Sequence, residues 1–223
     1  NDGKGWTKGI EWANGMQHQD LRYPTWNPVL YQGPGDAPLA LYFKVGPTPQ
    51  TWWGEVMFSY DRGRSFRDRK RLPEGIDGPV RSKPLLLSDG TLLCPSSTEH
   101  GGDWRFHFER THNNKWQRIE PKEQKFQIIQ PTLLSHPDGT IQALYRAKHK
   151  AIMQNFSKDG GLTWSPLEKS SLPNNNAGIE ALTLEDGRHL LLYNHLTRGR
   201  QAIHLAISQD GKTWKAAAII EKA

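Results

Sequence analysis

Residues 157–164 read Ser157-Lys158-Asp159-Gly160-Gly161-Leu162-Thr163-Trp164, an S-x-D-x-G-x-T-W phrase, and the rest of the chain is organised around its copies. Ser59-Tyr60-Asp61-Arg62-Gly63-Arg64-Ser65-Phe66 keeps the spacing with Phe in the last place. Ser208-Gln209-Asp210-Gly211-Lys212-Thr213-Trp214 is one residue shorter, and Asp2-Gly3-Lys4-Gly5-Trp6 shares that shorter spelling. His112-Asn113-Asn114-Lys115-Trp116 is a worn copy. The closing aromatics fall at 6, 66, 116, 164 and 214, in steps of 60, 50, 48 and 50 residues. Repetition at such a period marks an architecture of stacked supersecondary units. The phrase itself encodes a hairpin turn. Its Asp accepts bonds from the turn's backbone N–H groups, its Gly takes positive φ, and its aromatic packs beneath as a wedge.

A second signal runs in step with the first. Asp89-Gly90, Asp138-Gly139 and Asp186-Gly187 stand 49 and 48 residues apart, and Gly35-Asp36 plays the same part earlier. Each lies between short apolar runs, such as Leu85-Leu86-Leu87 before and Leu92-Leu93-Cys94 after, which reads as strand, tight turn, strand. Each period therefore spells four short strands, and no long amphipathic helix is evident. The expected fold is all-β, a β-propeller of four-stranded blades, with about four full blades plus terminal strands in one domain over residues 1–223.

Composition agrees. The 223 residues include nine Trp, six Tyr and seven Phe, enough aromatic surface for a core despite a mean hydropathy of −0.73. No apolar run approaches the roughly 18 residues of a membrane span. Cys94 is the single cysteine, which excludes an internal disulfide framework and a cysteine-based zinc site. No His-x-x-x-His spacing supports a metal, and neither metal nor other cofactor is expected. Twenty-nine Lys and Arg against twenty-three Asp and Glu give a net charge of +6. That balance permits nucleic acid, an anionic sugar or an acidic surface as partner and does not choose among them, and the basic residues form no arm of the kind that binds nucleic acid. The first residues carry no apolar segment of the signal-peptide type.

Strand alternation places the Asp boxes and Asp-Gly turns at one end of the blades and the remaining loops at the other. Those other loops hold the specific-looking polar residues, held by a rigid scaffold as functional residues are in repeat folds. Several phrases there, with the boxes, resemble the sialidase (neuraminidase) superfamily in its Asp-box, BNR-repeat branch. They are Arg22-Tyr23-Pro24-Thr25-Trp26-Asn27-Pro28, Gly78-Pro79-Val80-Arg81-Ser82-Lys83-Pro84, Ser96-Ser97-Thr98-Glu99, Gln130-Pro131, Pro173-Asn174-Asn175-Asn176-Ala177-Gly178 and Tyr193-Asn194. The resemblance covers essentially the whole chain.

It implies a six-bladed propeller that removes terminal sialic acid from glycans, with three arginines, a Tyr–Glu nucleophile pair and an Asp acid/base. Arginine forks suit the sugar carboxylate, and a neutral Tyr attacks where an anionic nucleophile would be repelled. The family's Phe-Arg-Ile-Pro-like phrase is absent, which implies a propeller lacking its N-terminal blade. By this resemblance Tyr193 is the candidate nucleophile, with Glu180 or Glu99 as its base. Arg22, Trp26, Asn27, Arg81, Lys83, His107, Gln130, Arg146, Asn176 and Asn194 are the candidate substrate-binding residues, Arg146 foremost. His107, alternating with apolar residues, is expected on a strand facing the funnel. The implied partner is a sialoglycan or similar acidic carbohydrate, and the implied compartment is secreted or periplasmic. Two other readings fit the same loops: an inactive propeller that binds carbohydrate or protein, and a lyase or hydrolase for another acidic sugar. A missing blade also implies an exposed strand edge near residues 1–12 or 215–223, through which the chain would self-associate.

Overall fold

The computed structural model describes residues 5–121 and 127–222. Every regular element among them is a strand. A short hairpin, β1 (Gly15–His18) and β2 (Leu21–Tyr23), precedes four sheets. Blade 1 is β3 (Thr25–Gln32), β4 (Leu39–Val45), β5 (Trp53–Ser59) and β6 (Arg67–Arg71). Blade 2 is β7 (Leu85–Leu86), β8 (Leu92–His100), β9 (Asp103–His112) and β10 (Lys115–Ile119). Blade 3 is β11 (Ile128–Ser135), β12 (Ile141–Ala147), β13 (Ala151–Ser157) and β14 (Glu168–Pro173). Blade 4 is β15 (Glu180–Thr183), β16 (His189–Tyr193), β17 (Ala202–Ser208) and β18 (Trp214–Lys222). Each is an antiparallel meander whose strands pair in chain order, and together they form the β-propeller the repeats predict.

The Asp boxes explain why the third and fourth strands of a blade stay in register. In blade 3, Gly161 N–H donates to Ser157 Oγ (2.9 Å), Thr163 N–H to Asp159 Oδ1 (2.9 Å), and the Ser157 hydroxyl to Asp159 Oδ1 (2.8 Å). The same bonds recur around Ser59–Asp61 and Ser208–Asp210. Hydrogen bonds from the Ser65 hydroxyl and N–H, and from Ser59, hold Asp61 down at about 2. The worn copy at 112–116 is a different device. Asn113 and Asn114 (φ +50° and +60°) make a two-residue primed turn, so the hairpin survives without the box. The copy at residues 2–6 falls largely outside the described residues.

Three of the repeat aromatics serve the joint between blades, whereas Phe66 packs on its own blade, against the cluster of Leu41, Phe43, Val45 and Met57. Trp164 stacks on Phe108 of blade 2, centroids 4.1 Å apart, beside Leu93 and Phe106. Trp214 packs against Leu134, Leu144 and Ile152 of blade 3, and Trp116 against Val29, Tyr42 and Val56 of blade 1. These aromatics are half-buried, not fully enclosed, because their outer edges close the turn at the surface.

Candidate functional site

At the end of the blades opposite the boxes lie the loops β4–β5, β8–β9, β12–β13 and β16–β17, together with the connections between blades. The inner strands reach that end with a distorted backbone. The β3 and β11 ladders slip between Trp26 and Val29, and between Ile129 and Thr132. Within the slips, Asn27 (φ +48°) and Gln130 (φ +53°) each precede a proline that cannot donate to the ladder. Arg81 (φ +70°) and Asn176 (φ +71°) hold the same left-handed conformation ahead of β7 and β15. Bulges and positive φ at non-glycine residues cost energy, and they re-aim side chains where function needs them.

Three arginines meet there. The Arg146 Nε donates to Asn176 Oδ1 (3.2 Å) and its Nη1 to Gln130 Oε1 (3.0 Å). Its guanidinium also lies over the Trp104 ring, 5.1 Å from the centroid. These contacts fix the fork and leave Nη2 without a partner among the described residues. Arg81 reaches across to blade 4, donating to the Ile179 carbonyl and lying 3.9 Å from the Glu180 carboxylate. A Cβ at Gly178 would overlap that guanidinium, so glycine there makes room for it. Arg200 donates to the Asn176 carbonyl at 3.4 Å. Burial first, then the like charges of Arg200 and Arg81, lower the pKa of Arg146, with Glu99 opposing. Burial raises the pKa of Glu180 against the Ser82 hydroxyl, Arg81, and the backbone and charge of Lys83. The site therefore sets a surplus of guanidinium charge beside Glu99 and a carboxyl group whose pKa burial raises.

The backbone that presents Arg81 is clamped from below by two fully buried charges. Glu109 on β9 accepts the N–H groups of Asp77 (2.8 Å) and Gly78 (2.6 Å). Lys44 on β4 donates to the carbonyls of Asp77 and Pro79, the latter at 3.0 Å. Burial pulls Lys44 down to about 8, with Asp77 and Glu109 resisting. Asp77, His107 and Glu109 could together hold a cation by their spacing. Glu109 is already committed to two N–H groups and His107, and the Lys44 ammonium supplies the positive charge, so these residues do not fit a metal ion.

Two expectations are corrected. His107 does not face the funnel. It is fully buried, with its Nε2 2.9 Å from Glu109 Oε1, because β9 turns His107 and Glu109 toward blade 1 and Phe106 and Phe108 toward blade 3. Tyr193 does not pair with Glu180. In the β15–β16 register Glu180 faces Leu192, while Tyr193 shares the opposite sheet face with Leu191 and Ala181. Its hydroxyl bonds His195 Nδ1, the ring is only 4% exposed, and burial pushes the phenol up to about 12.

The other candidates are dispersed. Arg22 pairs with Glu11 at 2.6 Å on the exposed β1–β2 hairpin. Trp26 packs on Trp52, 5.7 Å between centroids. Asn194 donates to the Ala202 carbonyl (2.6 Å) and ties the β16–β17 loop. Arg200 and Trp104 were not singled out by the sequence. No spacing marks Arg200 in its loop, whereas Trp104, opposite Glu99 beside the turn of the β8–β9 hairpin, carries the signal of an aromatic in a functional loop.

The model of the BNR repeat-like domain matches residues 1–223. The chain belongs to that family. No curated protein sequence matches it. Among solved structures, a Hadza microbial sialidase is similar at TM-score 0.75 and 14% identity, over 90% of this chain and 46% of that one. The intramolecular trans-sialidase from Ruminococcus gnavus, solved with oseltamivir carboxylate, aligns at TM-score 0.60 and 22% identity over 81% of this chain and 42% of its own. A protein of unknown function from Dyadobacter fermentans aligns at TM-score 0.67 and 18% identity, over 85% and 62%. This chain thus spans less than two thirds of the length of each. At these identities the likeness establishes the sialidase-type propeller fold.

Proposed function

We propose that this BNR-repeat propeller binds the terminal acidic sugar of a glycan, sialic acid or a close relative, and hydrolyses its glycosidic bond. The observation that carries the reading is the crowding of Arg81, Arg146 and Arg200 around one point. Three guanidinium groups raise one another's energy when nothing anionic lies among them, and a ligand carboxylate relieves that cost. Arg146, braced by Asn176, Gln130 and Trp104, supplies the preorganised fork. Glu180, its pKa raised, is the proton donor to the leaving oxygen, and Glu99 is the second carboxylate at the site. Tyr193, if it attacks, passes its proton to His195 rather than to a glutamate.

The orientation of Tyr193 favours one other reading, a propeller that binds the same sugar without turning it over. Two measurements separate them. Arg146→Ala should weaken calorimetric binding of sialic acid or its 2,3-unsaturated analogue about 10- to 150-fold, as loss of charge-assisted bonds worth roughly 1.5–3 kcal/mol does. Release of lactose from 3'-sialyllactose by the wild type, abolished in Glu180→Gln, establishes the hydrolase. Binding without release leaves the lectin-like reading. Equal binding by wild type and Arg146→Ala overturns both.

A further inference from the structure

The Asp box of blade 1 departs from that of blade 3 in the places the turn leaves free. Ser59, Asp61, Gly63 and Ser65 make the turn's bonds, and between them stand Arg62 and Arg64, where blade 3 has Gly160 and Leu162. Arg62 is held at φ +60°, a conformation that Gly160 adopts at +69° without a side-chain penalty. The chain then enters β6 as Arg67-Asp68-Arg69-Lys70-Arg71, every residue of it exposed. Six cations thus stand within residues 62–71 against one carboxylate, Asp68, which accepts the Tyr60 hydroxyl at 3.1 Å. Of the six, only Arg69 has an ion-pair partner among the described residues, Glu55. β6 is also the free outer strand of its sheet, paired to β5 alone. A bulge at Asp68 (φ +57°) puts Arg67 and Lys70 on the face of Phe58 and Val56, and Arg71 on that of Glu55, so cations flank the edge from both sides.

We propose that this edge docks a linear sulfated polysaccharide, one chain lying along β6 and over the box turn. A row of unpaired cations complements a polymer that carries closely spaced permanent anions, and arginine forks fit such oxygens in pairs. β6 alone spans about 17 Å, so strand and turn together meet several successive sugars. Nucleic acid fits less well, because the ring faces that would stack bases are taken. Arg67 lies 4.6 Å from the centroid of Tyr60, and Arg71 4.6 Å from that of Trp53. A membrane fits less well, because Tyr60 is the one large exposed apolar residue within 60–71, and Arg67 covers it. Edge cations also discourage strand pairing, but that need does not extend to Arg62 and Arg64 in the turn. The patch shares no residue with the arginine site and does not rest on the function proposed above.

The probe is a heparin oligosaccharide of defined length, titrated calorimetrically at about 0.15 M salt, where contacts beyond a Debye length are screened. It should bind the wild type, and weaken as salt rises. Arg64→Glu combined with Lys70→Glu should weaken it about tenfold. Lys158→Glu combined with Lys215→Glu changes the net charge equally at exposed lysines of blades 3 and 4, and should leave the affinity within about a factor of two. If the edge pair does not fold, as judged by circular dichroism, Arg62→Gly with Arg64→Gln decides, since the first restores the residue that the blade 3 box carries. No heparin binding by the wild type, equal weakening by the two lysine and arginine pairs, or binding undiminished in Arg62→Gly with Arg64→Gln overturns the docking edge. Equal affinity for single-stranded DNA of matched charge, or for vesicles containing phosphatidylserine, overturns the choice of a sulfated polysaccharide.

Discussion

Replacing Glu109 by Gln tests whether the buried clamp shapes the arginine loop. The carboxylate accepts three donors, Asp77 N–H, Gly78 N–H and the His107 ring, and offers the nearby Lys44 ammonium an opposite charge. A glutamine keeps the size but has one acceptor oxygen, and its amide hydrogens point donor to donor. At least one buried N–H is then orphaned, at about 1–3 kcal/mol. Lys44 also loses one of the charges that keep it protonated. A loss of about 1–3 kcal/mol, toward the upper end because Lys44 is less well supported, is therefore expected. Urea denaturation followed by Trp fluorescence measures it, given an unchanged m-value. Combining Glu109→Gln with Lys44→Met should cost less than the sum of the two, since neither charge is then stranded. A loss below about 1 kcal/mol for Glu109→Gln, or strict additivity in the double variant, would refute the clamp.

Four further outcomes follow from the same geometry. Lys44 has a folded pKa of about 8, below its ordinary value, so the unfolded chain binds more protons between them; its penalty is in full force below pH 8 and lifts as pH rises, and Lys44→Met should erase the resulting gain in denaturation midpoint between about pH 8 and 10. Gly178→Ala pushes aside only the flexible end of Arg81, so it should weaken binding of an acidic sugar in calorimetry while leaving the thermal midpoint nearly unchanged. Trp164→Ala removes a half-buried ring stacked between blades 2 and 3 and should cost about 2–3 kcal/mol in urea denaturation, short of a full core truncation. The free edge of β18 exposes Ile219 (50%) and Ile220 (60%), and Ile219→Lys should reduce any concentration-dependent association seen by light scattering.

The fold was legible because its signals are local. An Asp box carries its whole hydrogen-bond network within a few residues, as Ser157, Asp159, Gly161 and Thr163 show, and its period fixes the blades. The arginine site was legible only in part, because convergence across blades is not a local property. Arg81 and Arg146 stand in recognisable loop phrases, whereas Arg200 is distinguished only by where the β16–β17 loop brings it, against the carbonyl of Asn176.

Strand alternation supplied the faces of β9 and β16 but not which face looks where. Residues 106–109 alternate Phe, His, Phe, Glu, so the pattern placed His107 opposite the phenylalanines, and only the packing of blade 1 against blade 2 shows that this side is closed. The same period-2 logic carried Tyr193 and Glu180 to neighbouring strand ends, yet a shift of one residue in register decides whether two such side chains meet or stand on opposite faces. The signal that could have found the clamp was present in Phe43-Lys44-Val45 and Phe108-Glu109. A charge inside an apolar strand is rarely tolerated without a partner, and two of them on consecutive blades are best explained by each other. Reading them together turns the loop between Asp77 and Arg81 from a surface connection into a braced arm, one that holds an arginine in left-handed backbone strain against blade 4.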